Sequence, residues 1–118
     1  MLRAFCVFRT SMKNILFLCS QNKLRSPTAE AIFCDTDGWD VRSAGLNTGA
    51  EVYISTEDVE WAEYIFVMEQ THKKKLKQKF RELIKEQSII CLGIPDDYEF
   101  MDKDLIAILK NKVPQFVD

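Results

Sequence analysis

Asn14-Ile15-Leu16-Phe17-Leu18-Cys19-Ser20-Gln21-Asn22-Lys23-Leu24-Arg25-Ser26-Pro27 decides the fold of this chain. Ile15 to Leu18 form an uninterrupted apolar tetrad, the pattern of a strand buried on both faces of a sheet. Pro27 suits the first turn of a helix, where its missing N–H costs nothing, and Ala29, Glu30, Ala31, Ile32 and Phe33 continue with residues a helix accepts. The loop from Cys19 to Ser26 therefore joins a buried strand to a helix N-terminus. Such a loop turns several backbone N–H groups into one concavity, and the helix dipole adds partial positive charge, so an oxyanion is stabilised there. The same field favours a thiolate at Cys19. Arg25 adds a planar fork able to grip two oxygens of a phosphoryl group. A nucleophile and an electrostatic clamp share one loop.

The rest of the chain alternates in the same way. Strands are expected at 14–18, 39–43, 64–68 and 88–92, and helices at 27–33, 56–61, 71–85 and 102–116. Apolar strands joined by helical crossovers imply an α/β fold of three layers, a four-stranded parallel sheet with helices on both faces, and the order expected for it, 2-1-3-4, puts the first strand near the centre. Ligands bind such open sheets beyond the carboxyl ends of the strands. Cys19 follows the first expected strand and Asp96 the fourth, so both loops open on one edge.

Residues 14–33, with CSQNKLRSPTAEAIF at their core, resemble the low-molecular-weight protein tyrosine phosphatases, whose loop reads C-x5-R-S followed by P-x-A-E-A. Val41-Arg42-Ser43-Ala44-Gly45 resembles the family's S-A-G turn. Ala62 to Glu69 and Ile94 to Tyr98 resemble two further stretches, and the likeness spans most of Lys13 to Val117. The chain is short between Gly45 and Ser55, as in a compact branch of the family. The resemblance implies Cys19 as nucleophile and Arg25 as phosphate-binding arginine. Ser26 takes the place of the hydroxyl that supports the thiolate, and Asn22 that of an asparagine that shapes the loop. Ser20, Gln21, Lys23 and Leu24 complete the phosphate-binding loop. Gln21 stands where glycine is common and Leu24 where many members carry a second cysteine.

Expelling an alkoxide or phenolate needs a proton, and the turn-rich segment Gly93-Ile94-Pro95-Asp96-Asp97-Tyr98 offers two carboxyl donors. The resemblance favours Asp96 as general acid, with Asp97, which replaces the family's proline, as rival. It also implies Tyr98 as an aromatic wall for the substrate ring. The expected activity is that of a cysteine-dependent phosphatase hydrolysing phosphotyrosine-like aryl phosphate monoesters through a cysteinyl-phosphate intermediate, on a phosphotyrosine-containing protein or a small aryl phosphate. It needs no cofactor and no metal. Two alternatives stand beside it: an arsenate reductase of the same fold, which passes oxidation to two further cysteines, and a non-catalytic phosphate- or phosphoprotein-binding module.

Composition narrows the classes further. A formal charge of −2 gives no general attraction to nucleic acid. Cys6, Cys19, Cys34 and Cys91 are scattered singly, with no metal-ligand spacing and no disulfide framework. No apolar run reaches membrane-spanning length, and a cytoplasmic enzyme is expected. Residues 1–11 precede a second methionine and read as an extension from an upstream start, leaving 12–118 as one phosphatase-like domain. The run from His72 to Lys79 reads as a helix whose apolar stripe is Leu76, Phe80, Leu83 and Ile84, with the lysines on the solvated face and His72 at the surface.

Overall fold

The structure, a computed structural model, describes residues 12–117. The expected extension 1–11 lies outside the described residues. Strands β1 (Lys13–Cys19), β2 (Trp39–Gly45), β3 (Tyr64–Val67) and β4 (Ser88–Cys91) alternate with helices α1 (Arg25–Phe33), α2 (Thr56–Trp61), α3 (Gln70–Lys79) and α4 (Lys103–Lys112). All strand pairs are parallel, as the alternation of strands and helices requires, and the order is β2-β1-β3-β4, as expected. Cys19 pairs with Gly45 in the register of β1 and β2, which puts the S-A-G turn beside the start of the loop.

The apolar tetrad explains the three layers. Ile15, Leu16, Phe17 and Leu18 are all fully buried, and period-2 alternation sends them to opposite faces. Ile15 and Phe17 join Phe66, Met68, Ala29, Phe33, Leu105 and Leu109 in one core, beneath α1 and α4. Leu16 and Leu18 join Ala44, Ile65, Val67, Val59 and Leu76 in the other, beneath α2 and α3. Phe17 stacks between Phe33 and Phe66, with ring centroids 5.8 and 5.4 Å away, and so ties α1 to the two central strands.

Two helices end earlier than their sequence pattern suggests. The helix expected over 71–85 stops at Lys79, where Phe80 leaves helical backbone (φ −124°, ψ 32°). Phe80, Leu83 and Ile84 nevertheless pack against the α2/α3 core, because the turns closed by Leu83 N–H and Ile84 N–H on the Phe80 carbonyl return them to the same face. The helix expected over 102–116 is α-helical to Lys112 and continues as a 3-10 turn over Val113–Phe116. Pro114 has no N–H with which to extend the α-helical ladder.

Candidate active site

Cys19 is the last residue of β1 and Arg25 the first of α1, so the loop between them spans the carboxyl edge of the central strand. The loop is held from outside. The N–H groups of Leu46, Asn47 and Glu51 donate to the carbonyls of Cys19, Ser20 and Gln21, each at 3.0 Å. With three successive carbonyls turned toward that segment, the amides are left for the opposite side. Among the described residues, no backbone N–H from Ser20 to Arg25 donates to a protein acceptor. Six unpartnered donors around one loop at a helix N-terminus form an anion cradle. The one left-handed residue of the loop from Cys19 to Arg25 is Asn22 (φ 56°), a conformation asparagine tolerates. Gln21 does not need it, which is why the usual glycine is dispensable there.

Gly45 makes the close approach of the neighbouring turn possible. A Cβ on it would lie 2.5 Å from Ala50 Cβ and 2.8 Å from the Ser20 carbonyl oxygen, closer than any side chain tolerates.

Behind the loop runs a directed chain of hydrogen bonds. Glu30 can only accept, so the Ser43 hydroxyl donates to its Oε1 at 2.5 Å. Ser43 Oγ accepts in turn from Asn22 Nδ2 at 3.0 Å, and the second amide proton of Asn22 goes to Ser26 Oγ, also at 3.0 Å. Ser26 thus has its own proton for Cys19 Sγ, 3.0 Å away. Asn22, Ser26 and Cys19 are all buried. The side chains of Asn22 and Ser26, expected among the phosphate-binding residues, therefore act from behind the loop.

Arg25 is buried and anchored at one end. Its Nη1 donates to Glu69 Oε2 at 2.5 Å and to the Ile94 carbonyl at 2.7 Å. Nε stands 3.8 Å from Asp96 Oδ1, beyond hydrogen-bond distance. Anchoring through Nη1 leaves Nε and Nη2 as a two-pronged donor edge. Cys19, Ser20, Gln21, Lys23, Leu24, Arg25 and Asp96 together enclose a cavity of about 160 Å³. That is below the roughly 300–1,000 Å³ of pockets for drug-sized ligands and suits a group of phosphoryl size.

Asp96 and Asp97 are both exposed, but only Asp96 lines the cavity and faces the loop. Tyr98 is half-buried against the α1/α4 core and does not line the cavity either. Cys91 packs with the α2/α3 core and Cys19 with the α1/α4 core, on opposite faces of the sheet, and Cys34 is exposed at the end of α1. Among the described residues no cluster of three or more histidine, cysteine or acidic side chains is placed to hold a metal ion.

Two residues at the site were not legible as such in the sequence. Glu69, partner of Arg25, lies 44 positions from it. His72, expected at the surface, is only 3% exposed, and its Nε2 lies 2.9 Å from Ser20 Oγ. Burial, and then the charge of Arg25, hold its pKa below the ordinary 6.5, against the opposing pull of Glu69. His72 stands four residues before Leu76 on the buried face of α3, a helical spacing that marks it as inward-facing.

A cysteine and an arginine stand at the two ends of an amide-lined loop on a four-stranded parallel sheet, an α/β arrangement able to receive an oxyanion. The chain has the fold of the low-molecular-weight phosphatases. It superposes on the low molecular weight protein tyrosine phosphatase of Streptococcus pyogenes with a TM-score of 0.73 and 19% identity, over 91% of this chain and 95% of that one. For the YwlE arginine phosphatase of Geobacillus stearothermophilus the TM-score is 0.70 at 20% identity, over 87% and 92%. The tyrosine phosphatase Wzb of Escherichia coli, solved in complex with phosphate, gives 0.69 at 17% identity, over 89% and 96%. No family model matches the sequence, and no curated protein matches it either.

Proposed function

We propose that this protein is a cysteine-dependent phosphatase acting on phosphotyrosine-like aryl phosphate monoesters. The observation that carries the reading is the hydrogen-bonded chain Glu30–Ser43–Asn22–Ser26–Cys19, half-buried at Glu30 and Ser43 and buried from Asn22 onward, which leaves a hydroxyl proton for the sulfur of a residue at the mouth of an amide cradle. A sulfur kept only for packing needs no such donor; a thiolate nucleophile that must later leave does.

In the first step Cys19 Sγ bonds to phosphorus in line with the departing oxygen, while the amides of Ser20 to Arg25 and the free edge of Arg25 take the equatorial oxygens. As the P–O bond breaks, Asp96 gives its proton to the leaving oxygen. Water then attacks the cysteinyl-phosphate, Asp96 takes the proton from that water, and the S–P bond breaks to return a thiolate hydrogen-bonded to Ser26. The charge on the transferring group is met by Arg25 and the amides.

Two features bear on the substrate. Lys23 lines the cavity, and a second cation there favours a phosphoryl donor with no positive charge of its own, an aryl ester over a phosphorylated guanidinium. Beside the site, Lys75 donates to Asn47 Oδ1, and Lys73, Lys74, Lys77 and Lys79 share the same helix. That basic face suits an acidic stretch of a phosphoprotein substrate. Neither an oxidation relay nor a binding module accounts for this set as well, since Cys91 faces away from Cys19 and a binder has no need of Asp96. The test is steady-state and burst kinetics with p-nitrophenyl phosphate, alongside phosphoarginine. Turnover with a burst, faster on the aryl ester, supports the reading; binding of phosphate without turnover would reject it.

A further inference from the structure

We infer that His72 is a positioning residue that holds the Ser20 hydroxyl as a hydrogen-bond donor toward the phosphoryl group in the Cys19 cavity. The inference rests on the phosphatase reading above and adds to it a group that reaches the loop from α3. Each nitrogen of the ring has one partner. Nδ1 accepts the backbone N–H of Glu69 at 3.1 Å, closing the cap of α3, so Nδ1 carries no proton. The proton of the neutral ring is then on Nε2, 2.9 Å from Ser20 Oγ. Ser20 Oγ receives that proton and makes no other hydrogen bond among the described residues, while Ser20 lines the cavity. Its own proton is therefore available to an anion in the cradle.

The charges around the ring keep it in this state. Arg25 from α1 and Lys75 from α3 act with burial to disfavour an imidazolium, and Glu69 and Asp96 oppose them only in part. At neutral pH His72 is neutral. Protonation would place a second proton on Nδ1, against the Glu69 N–H, and break the contact that orients the ring. Glu69 also anchors Arg25, so one turn of chain at the start of α3 positions both the guanidinium and the hydroxyl.

Two substitutions separate the two nitrogens. His72→Asn supplies an oxygen near the Nδ1 position and preserves the helix cap, but leaves nothing at Nε2. His72→Gln places an amide N–H where Nε2–H was. With p-nitrophenyl phosphate, His72→Asn and Ser20→Ala should each lower kcat/KM by about tenfold, the value of one hydrogen bond to a charged group. His72→Gln should recover activity to within about threefold. The double variant His72→Asn/Ser20→Ala should be no slower than either single one, because both remove the same interaction. In the wild type, kcat/KM should lose a limb as pH falls below 6.5 that is missing in His72→Gln. Losses that multiply in the double variant, or a His72→Gln as slow as His72→Asn, would overturn the inference. The wild type and the three single variants are also titrated with inorganic phosphate by calorimetry. Wild-type protein that binds phosphate without turning over substrate would end the phosphatase reading alone, and His72 would then be judged on phosphate affinity: about tenfold weaker in His72→Asn and Ser20→Ala and restored in His72→Gln, or else refuted.

Discussion

The loop from Cys19 to Arg25 and the segment from Gly93 to Asp102 meet over the same cavity and are held very differently. In the first, three carbonyls are pinned by the 46–51 segment, and the side chains behind it form an unbroken hydrogen-bonded chain from Glu30 to Cys19. The second is tied near its ends, by Ile94 N–H to the Met68 carbonyl and by Met101 N–H to Thr28 Oγ1. Between those ties Pro95, Asp96, Asp97, Glu99 and Phe100 are exposed. The contrast divides the labour. On the phosphatase reading, groups that meet the charge of the phosphoryl group are fixed before substrate arrives, which is where preorganisation contributes most. Asp96, the proton donor of the proposed mechanism, sits on the more open side, where it can follow leaving groups of different shape.

Substitutions can test that division, beginning with the most severe. Cys19→Ser should reduce turnover to background while leaving phosphate binding largely intact, because serine fits the space and has no accessible anion. Phosphate titration together with kinetics checks this, and turnover within tenfold of wild type would refute the covalent step. Asp96→Asn should slow alkyl-like phosphates by roughly 10²–10⁴-fold and activated aryl phosphates much less, since a good leaving group scarcely needs a proton. Asp97→Asn should be mild on both; the reverse pattern would exchange the two roles. Arg25→Lys should cost about 10²–10³-fold in kcat, as a point charge cannot both hold Glu69 and present two donors to the transition state. A wild-type rate would make the arginine purely structural. Gly45→Ala should cost about 1–3 kcal/mol of stability, read by urea unfolding, by pushing the 45–51 turn away from the Ser20 carbonyl. An unchanged midpoint would show that the loop does not depend on that approach.

Much of the fold could be read from local sequence. The tetrad Ile15–Leu18 carried the central strand, and C-x5-R with Pro27 carried the loop and the helix after it. The parallel sheet followed from alternating strands and helices, although alternation does not itself select the order 2-1-3-4. What sequence did not carry was contact across the sheet. Glu69 meets Arg25 only because β3 lies beside β1, and no local pattern ties an acidic residue to an arginine 44 positions earlier. His72 was hidden by its neighbours: a run of lysines reads as solvated, although the spacing to Leu76 turns the histidine inward. The end of α3 at Lys79 escaped for a different reason. Phe80, Leu83 and Ile84 face the core whether the backbone is helical or a pair of turns, so periodicity does not distinguish the two.

A cradle completed in advance also bears on how the catalytic cycle ends. Little chain entropy is lost when an anion enters a loop whose carbonyls are already pinned, so on the phosphatase reading the free phosphate left by hydrolysis meets the same six amides and the same guanidinium edge that held the ester. Inorganic phosphate is then a competitive inhibitor, and at saturating concentration it adds to the stability of the folded protein by mass action. On the phosphatase reading, the pinning that readies the loop for the ester thus also makes it retain the phosphate that hydrolysis leaves behind.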